Sequence, residues 1–553
     1  MTLVDVARGQ AAGRPQADAF IFLARGDREA GRLSYARLDL RARAIAAWLR
    51  ARGDAGARIA LALPTGAAFV ESFFGCLYAG MIPVPLPELD TRRGMERAQA
   101  ICRDAGPGIV FAGPAAERAG ARALALALAC GAEAHAPGDI GDETALAWQA
   151  LAVDPGAVAF LQYTSGSTRA PRGVMVSHGA LLANLGMIAK SFKLDERSRS
   201  VNWLPLHHDM GLLGGVLGPV YLGVCSVLLP PLSVLQNPLR WPRAVAHYRG
   251  TVSGGPSFAY ELCARWLERR PDAALDLSCW SIAFCGSEPV RAEALERFAR
   301  AACRAGMPGG ALVPCYGLAE ATLLVSAGTP GAGVERFAPD AQGRVRIDCG
   351  QACEGERIEI ADPDTGAPVA EGQVGEILVC GPNIASGYWN RPEESARVFR
   401  TRASGTRWLH TGDLGLQRGG HLAVTGRLKD LLIIRGQNHH PEDVEQTVRH
   451  AHPALAAGAA FSVDSGNGEE LVLVQELERG AAPPVAGIAQ AVAAAVADQH
   501  GLSVRELVLI RPLTLPRTAN GKVQRARCRE TYLADELAVL DRITPAVARA
   551  TAP

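Results

Sequence analysis

Residues 160–176 read FLQYTSGSTRAPRGVMV. An apolar run, Val158, Ala159, Phe160 and Leu161, enters hydroxyl and glycine residues at Thr164, Ser165, Gly166, Ser167 and Thr168. Arg169 and Arg172 follow before the chain turns apolar again. The pattern predicts a strand, an anion-gripping loop and a second strand. Glycine lets backbone N–H groups approach a phosphate, hydroxyls donate hydrogen bonds, and arginines add charge and fork-shaped donors. On its own the stretch fits a nucleoside triphosphate or a solvated Ser/Gly turn equally well. It is not a Walker A loop, because GxxxxGK followed by Ser or Thr occurs nowhere in the chain.

The 553 residues exceed one ordinary core and predict at least two domains, one of them large. With 48% hydrophobic and 20% charged residues the composition is that of a globular protein, and a net charge of +1 points away from nucleic acid or an anionic membrane surface. The 13 cysteines form no CxxC pair, and no early signal-like segment is present. Reduced thiols in a cytoplasmic protein are therefore expected. The most apolar stretch, 67–87, holds Glu71 and three prolines and fails as a membrane span. Only four of the 57 basic residues are lysines (Lys190, Lys193, Lys429 and Lys522). In an arginine-rich chain each marks a position that can require a compact ammonium, although Lys190 and Lys193 read as plain surface.

Outward from the opening stretch, 33–52 carries apolar residues at helical spacing behind Ser34 as an N-cap, and a second helix starts near Ser177. Short apolar runs at 58–64, 108–113 and 158–164, with helical stretches at 67–79 and 91–104, predict parallel βα sheets covered on both faces. The Ala-rich run 114–136 reads as helix or loop. HHDMG, embedded in apolar sequence, makes His207, His208 and Asp209 either a satisfied structural cluster or a cavity lining. Two strand-like runs end in small-residue turns carrying Glu288 and Glu320, which are site candidates or helix caps. Residues 327–348 read as loop or hairpin, and 356–425 as short strands, with Asp413 in a glycine turn suited to a ribose diol. The predicted division is a large α/β unit over 1–428 with a β-rich part at about 350–425, a small α+β unit over 429–540, and a linker-like tail over 541–553.

Taken together, YTSGSTRAPRG, GSEP, YGLAE, TGDL, GRLKD and NGK, in that order, resemble the adenylate-forming superfamily of acyl-CoA synthetases, peptide-synthetase adenylation domains and luciferases. WLPLHHDMGLLGG, GGPSFAYELC and IIRGQNHHPEDVE look most like its fatty acyl-AMP ligases. The resemblance implies activation of a fatty acid with ATP and Mg²⁺ to an acyl-adenylate, then transfer to the phosphopantetheine of an acyl carrier protein. It implies that Thr164, Ser165, Gly166, Ser167, Thr168 and Arg172 hold phosphates and that Glu320 binds the metal. Tyr316, with Gly317, Gly286 and Ser287, would take the adenine, and Asp413 and Arg427 the ribose. His208 would lie near the acyl carboxylate, and Lys522 would bridge carboxylate and phosphate. Lys429 would be the hinge of a mobile C-terminal domain, and Gly255, Pro256, Ser257 and Phe258 would line the acyl pocket.

The chain departs from that pattern at Arg169, where glycine is usual, at Arg172, where lysine is usual, and at Asn520, where serine is common. Segment 320–350 is shorter than is typical of fatty acyl-AMP ligases, which keeps an acyl-CoA synthetase as the alternative reading. A non-catalytic binding module is the third. Acyl length, the particular carrier and oligomeric state leave no mark in the sequence.

Overall fold

The computed structural model describes residues 1–544 apart from 115–116, 165–170, 270–273, 289, 340–344, 435–436, 465–468, 479, 481–484 and 519–521. The phosphate-loop candidates Ser165, Gly166, Ser167 and Thr168 thus lie outside the described residues, as do Arg169, Asn520 and Gly521. Their flanks fold as the sequence requires, with Val158–Thr164 and Arg172–Ser177 pairing antiparallel.

Apolar runs too short for helices become buried parallel strands. Ile82–Pro85, Arg58–Ala62, Ile109–Ala112 and Glu133–His135 form one parallel sheet, and the antiparallel pair packs beside its first strand. The Ala-rich run resolves into helix Arg118–Cys130 and the last of these strands. The Ser34 hydroxyl accepts from the Arg37 N–H to start helix Tyr35–Arg50, and Ser177 accepts from Ala180 to start helix His178–Ser191. Each cap satisfies a donor that the first helical turn leaves free.

The largest sheet joins two halves. Asp18–Ala24, Ser226–Leu228, Ser200–Asn202, Val252–Gly255, Ile282–Cys285 and Leu312–Gly317 lie side by side and parallel. Leu324–Ala327 then reverses direction, and strands from Gln351–Ala352 to His421–Arg427 continue antiparallel. The β-rich part is therefore an extension of the main sheet. Asp413 does not sit in a turn as expected. It lies within the long strand Arg407–Arg418, where Gly412 at φ +69° and shifts of register bend the strand without ending it.

Residues beyond 432 build a separate four-stranded sheet from Leu455–Asp464, Glu469–Leu477, Val504–Ile510 and Val539–Ile543. Helices Pro441–Ala451 and Val485–His500 cover one face through Val444, Val448, Ile488 and Val492, and Arg525–Leu533 covers the other through Cys528. The tail expected as linker from about 541 begins inside the edge strand of this sheet, because Leu507 and Val508 supply a partner that the local sequence does not reveal. No helix among the described residues is long and apolar enough to cross a membrane.

Candidate active site

Parallel strands all point their carboxyl ends one way, so the loops after them converge. Thr164, His207 and His208, Gly286 and Ser287, and Leu318 to Glu320 meet there in one cavity of about 1170 Å³. Asp413, Arg427, Lys429 and Lys522 reach it from the antiparallel strands and the small domain.

Register sets the core of the site. Asp413 and Arg427 are direct cross-strand partners, and Arg427 Nε lies 2.9 Å from Asp413 Oδ1. Tyr316 donates its hydroxyl to the other oxygen, Asp413 Oδ2, at 2.9 Å, although the strands are far apart in sequence. The carboxylate raises the proton affinity of Arg427 further, which keeps it charged. Next to this pair Ser287 adopts φ +72°, a conformation that a serine holds only when its surroundings impose it. Gly317 has no room for a side chain, since a Cβ would fall 1.8 Å from the Leu323 carbonyl oxygen.

Elsewhere in the cavity, Tyr388 donates its hydroxyl to Glu320 Oε1 at 2.7 Å. Burial pushes the Glu320 carboxyl above its ordinary range despite that bond. The Arg172 guanidinium lies 5.6 Å from the Tyr388 ring centroid and pairs with Glu394 at 2.7 Å. Both lysines singled out in the sequence line the same space. Burial, then the Arg427 charge, bring Lys522 down to about 8 and lower Lys429 as well. Lys522 is held by a local loop, in which its N–H donates to Thr518 Oγ1 at 3.1 Å and its carbonyl accepts from the Thr518 N–H at 2.8 Å.

The histidine cluster lines the cavity and is also internally satisfied. His208 Nδ1 lies 2.6 Å from Asp209 Oδ1, which also accepts from the Met210 N–H. Burial raises Asp209, but His208 and that N–H outweigh it and hold the carboxyl below its usual value. His207 is kept neutral, pushed down to about 3 by burial and by Arg97 and His208.

Beyond these polar groups the cavity becomes an apolar sleeve. Leu185, Ile188 and Phe192 come from one side, and Leu213, Val224 and Phe284 from the other. Gly255, Pro256, Ser257 and Phe258, expected to line it, do not. They join strand Val252–Gly255 to helix Ser257–Arg269 and pack behind it. A Cβ on Gly255 would meet Trp203 at 2.9 Å, and Ser257 Oγ accepts from the Arg291 N–H. Glu288 accepts from the Phe258 N–H at 3.0 Å, which makes it a helix cap, whereas Glu320 lines the cavity.

Sequence reasoning missed Tyr388, the apolar wall and Arg525. The 3–4–7 spacing of Leu185, Ile188 and Phe192 shows a buried face but not that it borders a cavity. Arg525, three residues after Lys522, bonds Glu445 at 2.5 and 2.7 Å and Glu442 at 2.7 Å and lies 3.4 Å from Asp430. It thereby ties the Lys522 loop to the segment that links the two domains. Nothing local to its sequence shows those carboxylates.

The AMP-binding enzyme family matches residues 7–389, and a second family, described as Disco-interacting protein 2-like, AMP domain, matches 429–542. The medium-chain fatty acid acyl-carrier-protein ligase JamA of Moorena producens is 36% identical over 96% of this chain and 95% of its own. The long-chain fatty acid AMP ligase FadD26 of Mycobacterium marinum is 35% identical over 96% of this chain and 97% of its own. A fatty acyl-adenylate ligase from L. pneumophila, solved with acyl adenylate and pyrophosphate, is 36% identical with a TM-score of 0.75, over 98% of both chains. With two thirds of its length matched by the family, the chain belongs to the AMP-binding enzymes.

Proposed function

We propose that the protein activates a fatty acid with ATP and passes the acyl group to the phosphopantetheine thiol of an acyl carrier protein. The observation that carries this reading is the continuity of one cavity from a cation-rich end to an apolar sleeve. An acid with a long hydrocarbon tail has that same polarity.

In the proposed reaction a carboxylate oxygen of the acid bonds to the α-phosphorus as the bond to the bridging oxygen of pyrophosphate breaks. No proton needs to move. The demand on the protein is positioning and stabilisation of charge on the phosphates. Asp413 and Arg427 hold the ribose hydroxyls, with Tyr316 fixing the Asp413 carboxylate. Arg172 would face the β- and γ-phosphates, the role that the sequence resemblance gives also to 164–168. Lys522, charged below about pH 8, spans carboxylate and α-phosphate. His208, braced by Asp209, lies on the acid's side of the site.

Among the described residues no group of three or more His, Cys, Asp or Glu side chains could hold a metal. Glu320 still fits Mg²⁺ as a single protein ligand. Among the described residues its buried carboxyl has Tyr388 and no cation at bonding distance, and Mg²⁺ typically takes its other oxygens from phosphates and water. Bound there, the ion would neutralise the departing pyrophosphate.

The second half-reaction needs Lys522 withdrawn so that a thiol can reach the acyl carbonyl. Lys429, in the link at 428–431, would be the hinge of that rotation. The short segment 320–350 favours one alternative, transfer to CoA. The test is to supply ATP, Mg²⁺ and a fatty acid with either CoA or a pantetheinylated carrier protein and follow products by mass spectrometry. Acylated carrier protein as the main product supports the proposal. Rapid acyl-CoA formation with an unloaded carrier overturns it in favour of a CoA synthetase.

A further inference from the structure

The apolar sleeve ends at Phe192. This residue caps helix His178–Ser191, and its ring stacks on that of Phe284 with centroids 6.0 Å apart and planes 9° from parallel. Behind it lies a second cavity of about 440 Å³, walled by Thr251, Ser281 and Ala311. These three residues immediately precede parallel strands of the main sheet, so this cavity opens at the end of the sheet opposite the nucleotide site. Phe192, Leu194 and Ser198 belong to the walls of both cavities.

The way the helix ends fixes this partition. Lys193 takes the left-handed conformation at φ +51°. Its N–H donates to the Lys190 carbonyl at 3.1 Å, and the Leu194 N–H donates to the Ala189 carbonyl at 2.8 Å. These are the paired bonds of a Schellman end, which sets the direction of the residues on either side of the turn. Phe192 and Leu194 are therefore held on the boundary, and Phe192 is only 6% exposed. The close-packed rings leave no passage for a methylene chain without displacing one of them.

We propose that Phe192 is the floor of the acyl sleeve and sets the longest chain the enzyme accepts, with the second cavity as the space a longer chain enters once the ring is removed. The inference rests on the fatty-acid reading above. Phe192 touches the tail of the acid and not the reacting atoms, so it governs specificity and not the chemical step.

The test compares the wild type with Phe192→Ala, Phe192→Leu and Phe192→Trp, measuring kcat/KM for acyl-adenylate formation over saturated acids of increasing length, with thermal unfolding followed in parallel. Phe192→Ala is expected to move the optimum to longer acids. Each pair of carbons added beyond the wild-type limit should gain about tenfold relative to wild type, as burial of two methylenes implies. Phe192→Leu should shift it less, and Phe192→Trp should shorten it. If Phe192→Ala fails to fold, the leucine and tryptophan variants decide the matter through their opposite shifts. Folded variants with the wild-type length profile, slower at every length alike, would overturn the floor and leave the function standing. A wild type that adenylates no fatty acid of any length would overturn the function and the floor with it.

Discussion

Tyr316 and Asp413 meet at 2.9 Å, hydroxyl to carboxylate, across 97 positions of sequence. Asp413 is in turn paired across the strands with Arg427. One carboxylate thus receives a phenol on one oxygen and a guanidinium on the other, and under the proposed function the three side chains would hold the ribose. Asp413→Asn keeps the shape and removes the charge. ATP affinity should fall about tenfold to a hundredfold, the range for hydrogen bonds to a charged group. Isothermal titration measures this directly, and wild-type affinity in the variant would contradict the assignment.

Lys522 gives the pH dependence a sign. Its folded value of about 8 lies below its ordinary 10.5 because burial disfavours the charge. The charged form is the working one, so kcat/KM for adenylation should fall as pH rises through about 8. Stability responds in the opposite sense. Between about 8 and 10.5 the unfolded chain binds a proton that the folded chain has released, so this group adds stability as pH rises across that window. Lys522→Arg should lose adenylation by about 10²-fold, the scale of one displaced electrostatic contact, and should lose the limb near pH 8 with it. Pyrophosphate release at the wild-type rate from that variant would show that Lys522 is not at the reacting phosphate.

The Tyr388 hydroxyl holds Glu320 at 2.7 Å in a buried setting that already favours the protonated acid. Tyr388→Phe removes that donor without removing the ring beneath Arg172. Adenylation should drop about five- to thirtyfold, corresponding to one buried hydrogen bond left unmade. Added Mg²⁺ should recover part of the loss if Glu320 is the metal ligand. A loss indifferent to Mg²⁺ concentration would point to a packing role for Tyr388.

The small domain is held against the large one by charge. Arg346 makes two bonds to Asp443, at 2.7 and 2.8 Å, with both side chains mostly buried. Glu261 receives Arg265, Arg291 and Arg449, and although burial works against it, these arginines bring its carboxyl down to about 2. Arg346 belongs to the short segment 320–350, so even this abbreviated stretch reaches the small domain. Asp443→Ala should loosen that orientation. Proteolysis within 428–431 should become faster and adenylation slower, with the melting temperature of the large domain unchanged. An unaltered cleavage rate would mean that the other pairs between the domains, Glu261 with Arg449, Arg265 with Glu478 and His450 with Glu293, suffice without it.

Much of this architecture is legible in the chain itself. Ser34 and Ser177 announce their helices, the short apolar runs announce parallel strands, and two of the rare lysines, Lys429 and Lys522, both line the cavity. What escapes is what depends on register or on remote partners. The turn-like residues around Asp413 form a bulge because a neighbouring strand runs past them. Val539–Ile543 becomes a strand because Val504–Ile510 offers an open edge. The apolar wall escapes the sequence reading because the resemblance alone directs attention to 255–258, while the buried face of helix His178–Ser191 does not announce a cavity. Only the packing of Trp203 against Gly255 shows which of the two is core.

The central claim is that one cavity brings a fatty carboxylate to the α-phosphate of ATP. Incubation of the purified protein with ATP, Mg²⁺, a pantetheinylated carrier protein and a fatty acid labelled with ¹⁸O in its carboxylate decides this, with the AMP released on acyl transfer analysed by mass spectrometry. Pyrophosphate is expected as the other product, with one ¹⁸O atom in AMP carried over from the bond between carboxylate and phosphorus. AMP without label, or ADP and orthophosphate as products, would contradict it.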